Sequence, residues 1–450
     1  MIKDKTFYRT LWQLALPLAL QNLITFGIGL ADNFMVGYLG DRSLSGVFLS
    51  NQVQWILHML TMGLSSAMVV LAAQYIGKGD MNRAKVVINI TLKIAVSVGA
   101  ALTVLVLFLP RQILGIFTTD QEIIGEGMRY IVIVCFSYTF FCCNNVLLAS
   151  MRCVQNSKIG FWSSLTGFCI NVFLNWILIF GKFGAPALGV SGAAIATLIA
   201  RFSELAVTFF YVRFRDTALV FRFKDLALRS KGLVKDFFHY GFPVILGDII
   251  WGIAGSTQIA ILGRLGAEIL AANTIAANLH QMLGVLVYAI AGASGVIIGR
   301  TVGSGDIEKV KSYAGTLQVI FLAFGLLTGI IIFTLKDLIL ALGFPNISAE
   351  AHIYALQFLT VFSVTIVGTS YQMSVLTGIV RAGGATHFVL INDLFHVWLI
   401  VIPSALLSAF VFHFPPVVTF ACLKSDQVLK CIMAVIKLNR WDWMRKLTRD

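Results

Sequence analysis

The sequence predicts an all-α integral membrane protein: twelve transmembrane helices in two parallel six-helix repeats, an N-lobe and a C-lobe, around a central cleft. Three observations predict it. The 450-residue chain is 58% hydrophobic and 12% charged, with a mean hydropathy of +0.86. A soluble domain carries about 25% charged residues, so most of this chain's surface must face lipid. The apolar runs are about 20 residues or longer, which is helix length across a hydrocarbon core of roughly 30 Å. Alternating barrel strands are absent, and only helices or closed barrels satisfy every backbone group in lipid. Finally, one unit is written twice. Pro17 recurs as Pro243, Gly37 as Gly263, and Gly77-Lys78-Gly79-Asp80 as Gly303-Ser304-Gly305-Asp306, at one offset (243 − 17 = 226).

Taken in order, the spans fall near 11–38, 46–75, 88–109, 129–151, 159–181 and 187–212, then 237–263, 273–302, 313–335, 353–379, 388–411 and 415–436. This divides the chain into an N-terminal lobe (1–212), a basic linker (213–236) and a C-terminal lobe with a basic tail (237–450). Cations mark one set of loops: Lys3, Lys5 and Arg9; Lys78, Arg83 and Lys85; Arg152 and Lys158; Arg213, Arg215, Arg222, Lys224, Arg229, Lys231 and Lys235 in the linker; Arg300, Lys309 and Lys311; Arg381; and the tail from Lys430 to Arg449. The opposite loops hold only isolated Arg42, Arg111, Arg129, Lys182, Arg264 and Lys336. That bias places both termini and the linker in the cytoplasm, in the plasma (inner) membrane. Each half has an even number of spans, so the two Gly-x-Gly-Asp loops share a side. Repeats arranged that way are parallel, which is a transporter architecture.

Several classes are excluded. The net charge of +13 is spread along short loops rather than gathered in a patch, which reads as topology and not as nucleic-acid binding. The charged start, Met1 to Thr10, runs straight into an apolar segment without a small-residue cleavage site, so it reads as a retained first span. Cys135, Cys142, Cys143, Cys153, Cys169 and Cys422 lie in or beside apolar spans and Cys431 near the end; none has zinc or disulfide-framework spacing. The Gly77-x-Gly79-Asp80 loop lacks the phosphate-loop spacing and reads as a tight turn.

Charge inside a span is costly, so each such residue is a functional candidate. Asp32 stands in the first span with apolar neighbours, and its repeat mate is Gln258. A carboxylate at that depth can take up a proton or ligate a monovalent cation, or else serve as a structural partner for an amide. Asn171 and Asn175 share a face of the fifth span at i, i+4 and can complete a cation site or act as interhelical glue. Thr197 is a weaker candidate, since such hydroxyls usually bond their own backbone. In the second half, Asp248 mates with Asn22, and Asp393 lies among Asn392, His396 and Trp398. These acids suit a cationic substrate; Asp393 alternatively lies in the interface near Arg381. Arg201 and Glu204, at i, i+3, pair with each other or snorkel. His58, His280 and His396 have no metal-site spacing.

Further stretches complete the pattern: Leu16-Pro17, Ala31-Asp32 and Val36-Gly37-x-Leu39-Gly40; Met151-Arg152 and Asn156-Ser157-Lys158; Asn171-x-x-x-Asn175-Trp176; Leu188-Gly189-Val190-x-Gly192-Ala193-Ala194-x-Ala196-Thr197; Gly241-Phe242-Pro243; Arg381-Ala382-Gly383-Gly384; and Trp398 to Pro403. In order and spacing the chain resembles the multidrug and toxic compound extrusion (MATE) family over essentially its whole length. Its end, from Phe414-Pro415-Pro416 to Trp443-x-Arg445-x-Leu447-Thr448, is similar to those of Gram-positive-type members, which suggests a complete chain. The resemblance implies efflux of organic cations in exchange for H⁺ or Na⁺. It puts the coupling cation at Asp32, Asn171, Asn175 and Thr197, with any Na⁺ at Asp32 and Asn171. The family's fifth-helix acid reads Asn175 here, which removes one charge from that site. Its seventh-helix acid falls at Asp248 or at Trp251; with Asp393 and Gln258 these are the expected substrate contacts. The usual Asp-Thr-Lys after Arg-Ala-Gly-Gly reads Ala385-Thr386-His387.

The expectation is therefore an antiporter working by alternating access, not an enzyme. It needs no cofactor beyond H⁺ or Na⁺ and works as a monomer. Its partners are small organic cations or amphiphilic drugs and the lipid bilayer, with no nucleic acid. The alternative is a lipid-linked oligosaccharide flippase of the same superfamily, which would line its cavity with Arg or Lys. A membrane enzyme would need a clustered nucleophile, metal or acid–base set at one membrane face, and the sequence offers none.

Overall fold

The repeated Gly-x-Gly-Asp loop folds into the same device twice in the computed structural model, which describes residues 2, 4–228, 230–344 and 347–449. Helix α2 (Asp41–Lys78) ends at Gly79 with φ +85°, and α10 (Ala267–Ser304) ends at Gly305 with φ +82°. Only glycine adopts that left-handed turn at little cost. Each turn delivers an aspartate to the next N-terminus. Asp80 caps α3 (Met81–Phe108) by accepting from Arg83 N at 3.0 Å, and Asp306 caps α11 (Ile307–Gly343) by accepting from Lys309 N at 3.1 Å.

The remaining elements are α1 (Lys5–Gly37), a short α4 (Pro110–Gly115), α5 (Gln121–Val134), α6 (Ser137–Cys153), α7 (Lys158–Phe180), α8 (Val190–Phe210), α9 (Lys231–Gly263), α12 (Ala349–Met373), α13 (Thr386–Leu394), α14 (Ile402–Leu406), α15 (Pro416–Leu423) and α16 (Asp426–Arg440). No strand occurs among the described residues. π-helical turns at Ser374–Val380, Phe395–Val401 and Leu407–Val411 extend α12, α13 and α14. Lys3 and Arg229, two cations of the expected cytoplasmic loops, lie outside the described residues.

Ten of the described helices and helix runs are long and apolar enough to cross a membrane, and α5 with α6, bent by 52°, makes an eleventh. The span expected at 415–436 differs: it is two short helices, α15 and α16, broken at Lys424–Ser425. The cause is polar. Lys424, Ser425, Asp426 and Gln427 follow one another, and Asp426 and Lys430 are then buried inside the protein. Elsewhere large apolar side chains stand outward, such as Leu327, Ile330 and Phe333 on α11.

The chain forms two compact units. One comprises Leu16–Met68 and Asp80–Phe238. Its helices meet at glycines: a Cβ on Gly46 would strike the backbone of Gly127, one on Gly99 the backbone of Thr139, and one on Gly192 the backbone of Leu178. Small residues at such crossings let helices approach closely in lipid, where no hydrophobic force drives them together. The linker is tied to α3 by Asn89 Nδ2, which donates to Leu226 O and Leu228 O, and by Lys85, 3.2 Å from Asp225. The other unit comprises Met1–Ala15, Val69–Gly79 and His239–Asp450. There α10, α11 and α12 pack around Ile298, Leu317, Val375 and Ile379, and Gly325 and Gly329 admit the backbone of α12.

Candidate functional site

One stripe of α7 organises the polar interior of the first unit. Ser163, Gly167, Asn171 and Asn175 recur every four residues and are all buried. Four-residue spacing keeps them on one face, and each meets a group on α8 or α1. Asn175 Nδ2 donates to Asp32 Oδ1 at 2.5 Å and to Asn171 Oδ1 at 3.2 Å. Asn171 Nδ2 donates to Thr197 Oγ1 at 3.4 Å, and Thr197 donates to Ala193 O at 3.0 Å. The four residues expected to couple the cation thus form one hydrogen-bonded chain from the carboxylate to the α8 backbone. Asn175 Oδ1, also buried, has no partner. Asp32 is half-buried, so its second oxygen and these amide oxygens make an oxygen-lined spot suited to a proton or a small monovalent cation.

One turn further along the stripe, the charges are paired. Arg201 Nη1 lies 3.0 Å from Glu204 Oε2, as expected for i, i+3 partners. Gly167 makes the room: a Cβ there would overlap the Glu204 carboxylate. Ser163 Oγ donates to Glu204 O at 3.0 Å and accepts from Thr208 Oγ1 at 3.1 Å. The Arg201 guanidinium lies 5.1 Å from the Phe141 ring centre; Phe141 meets His58, and His58 stacks on Trp55. Arg201 was expected only as a partner of Glu204, and Tyr130 was not singled out. Arg201 and the buried Tyr130 both lie within electrostatic reach of Asp32. The signal for Arg201 was its position one turn after Thr197, on the same face; Tyr130 gave none.

In the second unit both expected substrate acids stand beside a cation. Asp248 is paired: Arg381 Nη2 donates to its Oδ1 at 2.6 Å, and Arg381 is buried. Asp393 does not reach Arg381. It pairs with Lys430 at 2.7 Å, and Lys430 also lies 3.4 Å from Asp426. Gln427 donates to Asp426, and Gln372 to Gln427. Trp251 is half exposed, and Gln258 lies ten residues beyond Asp248, about 15 Å along α9. Asp248, Trp251 and Gln258 share α9, and Asp393 lies on α13. Each acid sits in its own ion pair.

Comparison with known proteins agrees with the doubled architecture. The MatE family model matches this sequence twice, over residues 17–177 and 243–434, starting at the paired prolines. The chain belongs to the MATE family. It is accordingly a multi-pass membrane transporter and not an enzyme. Among similar proteins, the probable multidrug resistance protein NorM of Thermotoga maritima is 29% identical over 338 residues, 73% of this chain and 70% of that one. The probable NorM of Haemophilus ducreyi is 25% identical over 403 residues, 87% and 84% of the two chains. The fold of this MATE protein matches that of a mutant of the Vibrio cholerae MATE transporter VcmN with a TM-score of 0.89, at 18% identity and 98% coverage of both chains. It also matches a MOP superfamily transporter from Pyrococcus furiosus, described as having a binding pocket of reverse polarity, with a TM-score of 0.84 at 19% identity and 96% coverage of both.

Proposed function

We propose that this MATE protein is a multidrug efflux antiporter of the cell membrane, with both termini in the cytoplasm, which exports organic cations in exchange for inward H⁺ or Na⁺. Asp32 carries the coupling ion and the substrate in turn, with access to its site alternating between the two sides of the membrane. The relatives named as multidrug resistance proteins support the substrate class. One observation carries the role of Asp32. Of the carboxylates within the expected spans, Glu204, Asp248, Asp393 and Asp426 each have a cation within 3.4 Å, whereas the partner of Asp32 is the amide of Asn175. Its charge is the one left for an exchangeable ion. With a single carboxylate and neutral oxygens around it, the proton is the better-matched ion. A lipid-linked oligosaccharide flippase fits less well, because Arg201, Arg381 and Lys430 are each matched by a carboxylate and none is spare for a pyrophosphate. The test is dye uptake into everted vesicles with Asp32→Asn, and efflux from proteoliposomes with pH and Na⁺ gradients imposed separately. Loss of gradient-driven transport in the variant is expected; undiminished exchange would remove Asp32 from the coupling role.

A further inference from the structure

We propose that Arg201 sets the charge of the substrate: the Asp32 chamber takes organic cations of charge +1 and discriminates against dications. This rests on the reading of Asp32 as the exchange site and names its substrate class more narrowly. The charge of the chamber is set by the helices that line it. Helix α1 brings Asp32; α8 brings Arg201 and Glu204; α2 brings His58; α5 brings Tyr130; α6 brings the thiols of Cys142 and Cys143; and the α7 stripe is uncharged. At pH 7.5 His58, Tyr130 and the thiols are predominantly neutral by their ordinary pKa values of about 6.5, 10 and 8.5. What remains is two carboxylates and one guanidinium, a net charge of −1.

That count is built in. Arg201 and Glu204 are buried and held together at 3.0 Å, Gly167 is bare so that the Glu204 carboxylate fits against α7, and Ser163 fastens the Glu204 backbone. The pair stands one turn from the Thr197–Asn171–Asn175–Asp32 chain, so its charges act on the same chamber. A monovalent cation or one proton at Asp32 brings the chamber to neutrality. A dication leaves a surplus positive charge beside Arg201. At an effective dielectric constant of about 20, one unit charge within roughly 10 Å changes binding tenfold or more.

The experiment uses two dyes with the same phenanthridinium ring, ethidium (+1) and propidium (+2), titrated by fluorescence into the purified full-length protein at pH 7.5. The quantity read is the ratio of the two dissociation constants. R201Q, with a net charge of −2, should shift the ratio about tenfold towards propidium. E204Q, with a net charge of zero, should weaken ethidium about tenfold. R201K and the double variant R201Q/E204Q, which keep the count at −1, should hold the wild-type ratio. A wild-type ratio in R201Q overturns the inference. Where R201Q does not purify as a single species, wild-type ethidium affinity in E204Q overturns it equally. The underlying reading fails separately: a protein that obeys this charge rule yet exchanges dye for neither H⁺ nor Na⁺ is not an antiporter. One that exchanges, but ignores the charge at residue 201, is an antiporter without this selector.

Discussion

Gly77 near the end of α2 lies directly on the backbone of Arg300 in α10, where a Cβ would overlap the Arg300 carbonyl. The contact has a twin at the repeat offset: Gly303 lies on the carbonyl of Gln74. The two helix ends therefore meet reciprocally, each offering a glycine to the other's backbone, as related copies do across a twofold relation. The obstructing atoms are backbone and cannot swing aside. Gly77→Ala and Gly303→Ala should each cost about 1–3 kcal/mol, the usual range for overpacking. Thermal unfolding in detergent measures this, with Gly315→Ala as the control, since a Cβ at Gly315 meets nothing within 4 Å. A melting temperature for G77A equal to that of the control would show that the helices part without cost.

The ion pair between Asp248 and Arg381 calls for a cycle of variants. Arg381 is buried against Val244 and Gly247, so removing either partner strands a charge. Breaking such a pair costs about 3–5 kcal/mol, whereas replacing both partners by neutral groups of similar volume is often close to neutral. Arg381→Met should therefore be the damaging change, and Asp248→Asn combined with it should recover most of the loss. Melting temperatures of the four proteins decide the matter. Additive losses would mean that the two residues act separately and would return Asp248 to the list of free anions.

Much of this architecture was legible because its signals are local or repeated. The left-handed glycines and the caps Asp80 and Asp306 follow from a four-residue motif, and the Asn171–Asn175 stripe from helical spacing. The chain from Asp32 to Thr197 followed once these residues were allowed to meet. The partners of Asp248 and Asp393 were not legible. Arg381 lies 133 residues from Asp248, and Lys430 lies 37 residues from Asp393. Which charges meet depends on how each helix is rotated and how deep it sits, and a helix apolar on most faces records neither in its pattern. The break in the last expected span has a related cause. A run of apolar residues around Lys424–Asp426 reads as continuous until the polar residues find partners inside the protein.

Buried Gln74 is one of the side chains that hold the C-terminal tail. Gln74 Nε2 donates to Ala382 O at 3.2 Å and to Arg445 O at 3.3 Å, and its Oε1 accepts from Leu447 N at 2.9 Å. Trp443, fully buried, fills the space left by Gly383. Gln74→Ala would leave Leu447 N and two carbonyls without these partners, at about 1–3 kcal/mol for each stranded group. The expected outcome is trypsin cleavage in the tail at least about tenfold faster than in the wild type, with the rest of the chain intact. Unchanged cleavage would assign the hold on the tail to Trp443 instead.

Asn175 is where a second charge is missing from the Asp32 site. Its amide donates to Asp32 and to Asn171, and its own oxygen has no partner. Asn175→Asp removes both donated hydrogen bonds and sets a second carboxylate against Asp32. Two carboxylates at that separation cannot both stay charged without a cation between them. Without Na⁺ near pH 8 the variant should lose about 1–3 kcal/mol. Na⁺ should restore it, since an ion that binds only the folded state raises stability in step with its concentration. The measurement is melting temperature against Na⁺, with K⁺ at matched ionic strength, in wild type and variant. A rise confined to the variant would show that the neutral residue at 175 is what tilts this chamber towards the proton. Equal curves would show that the residue at 175 does not govern Na⁺ binding here.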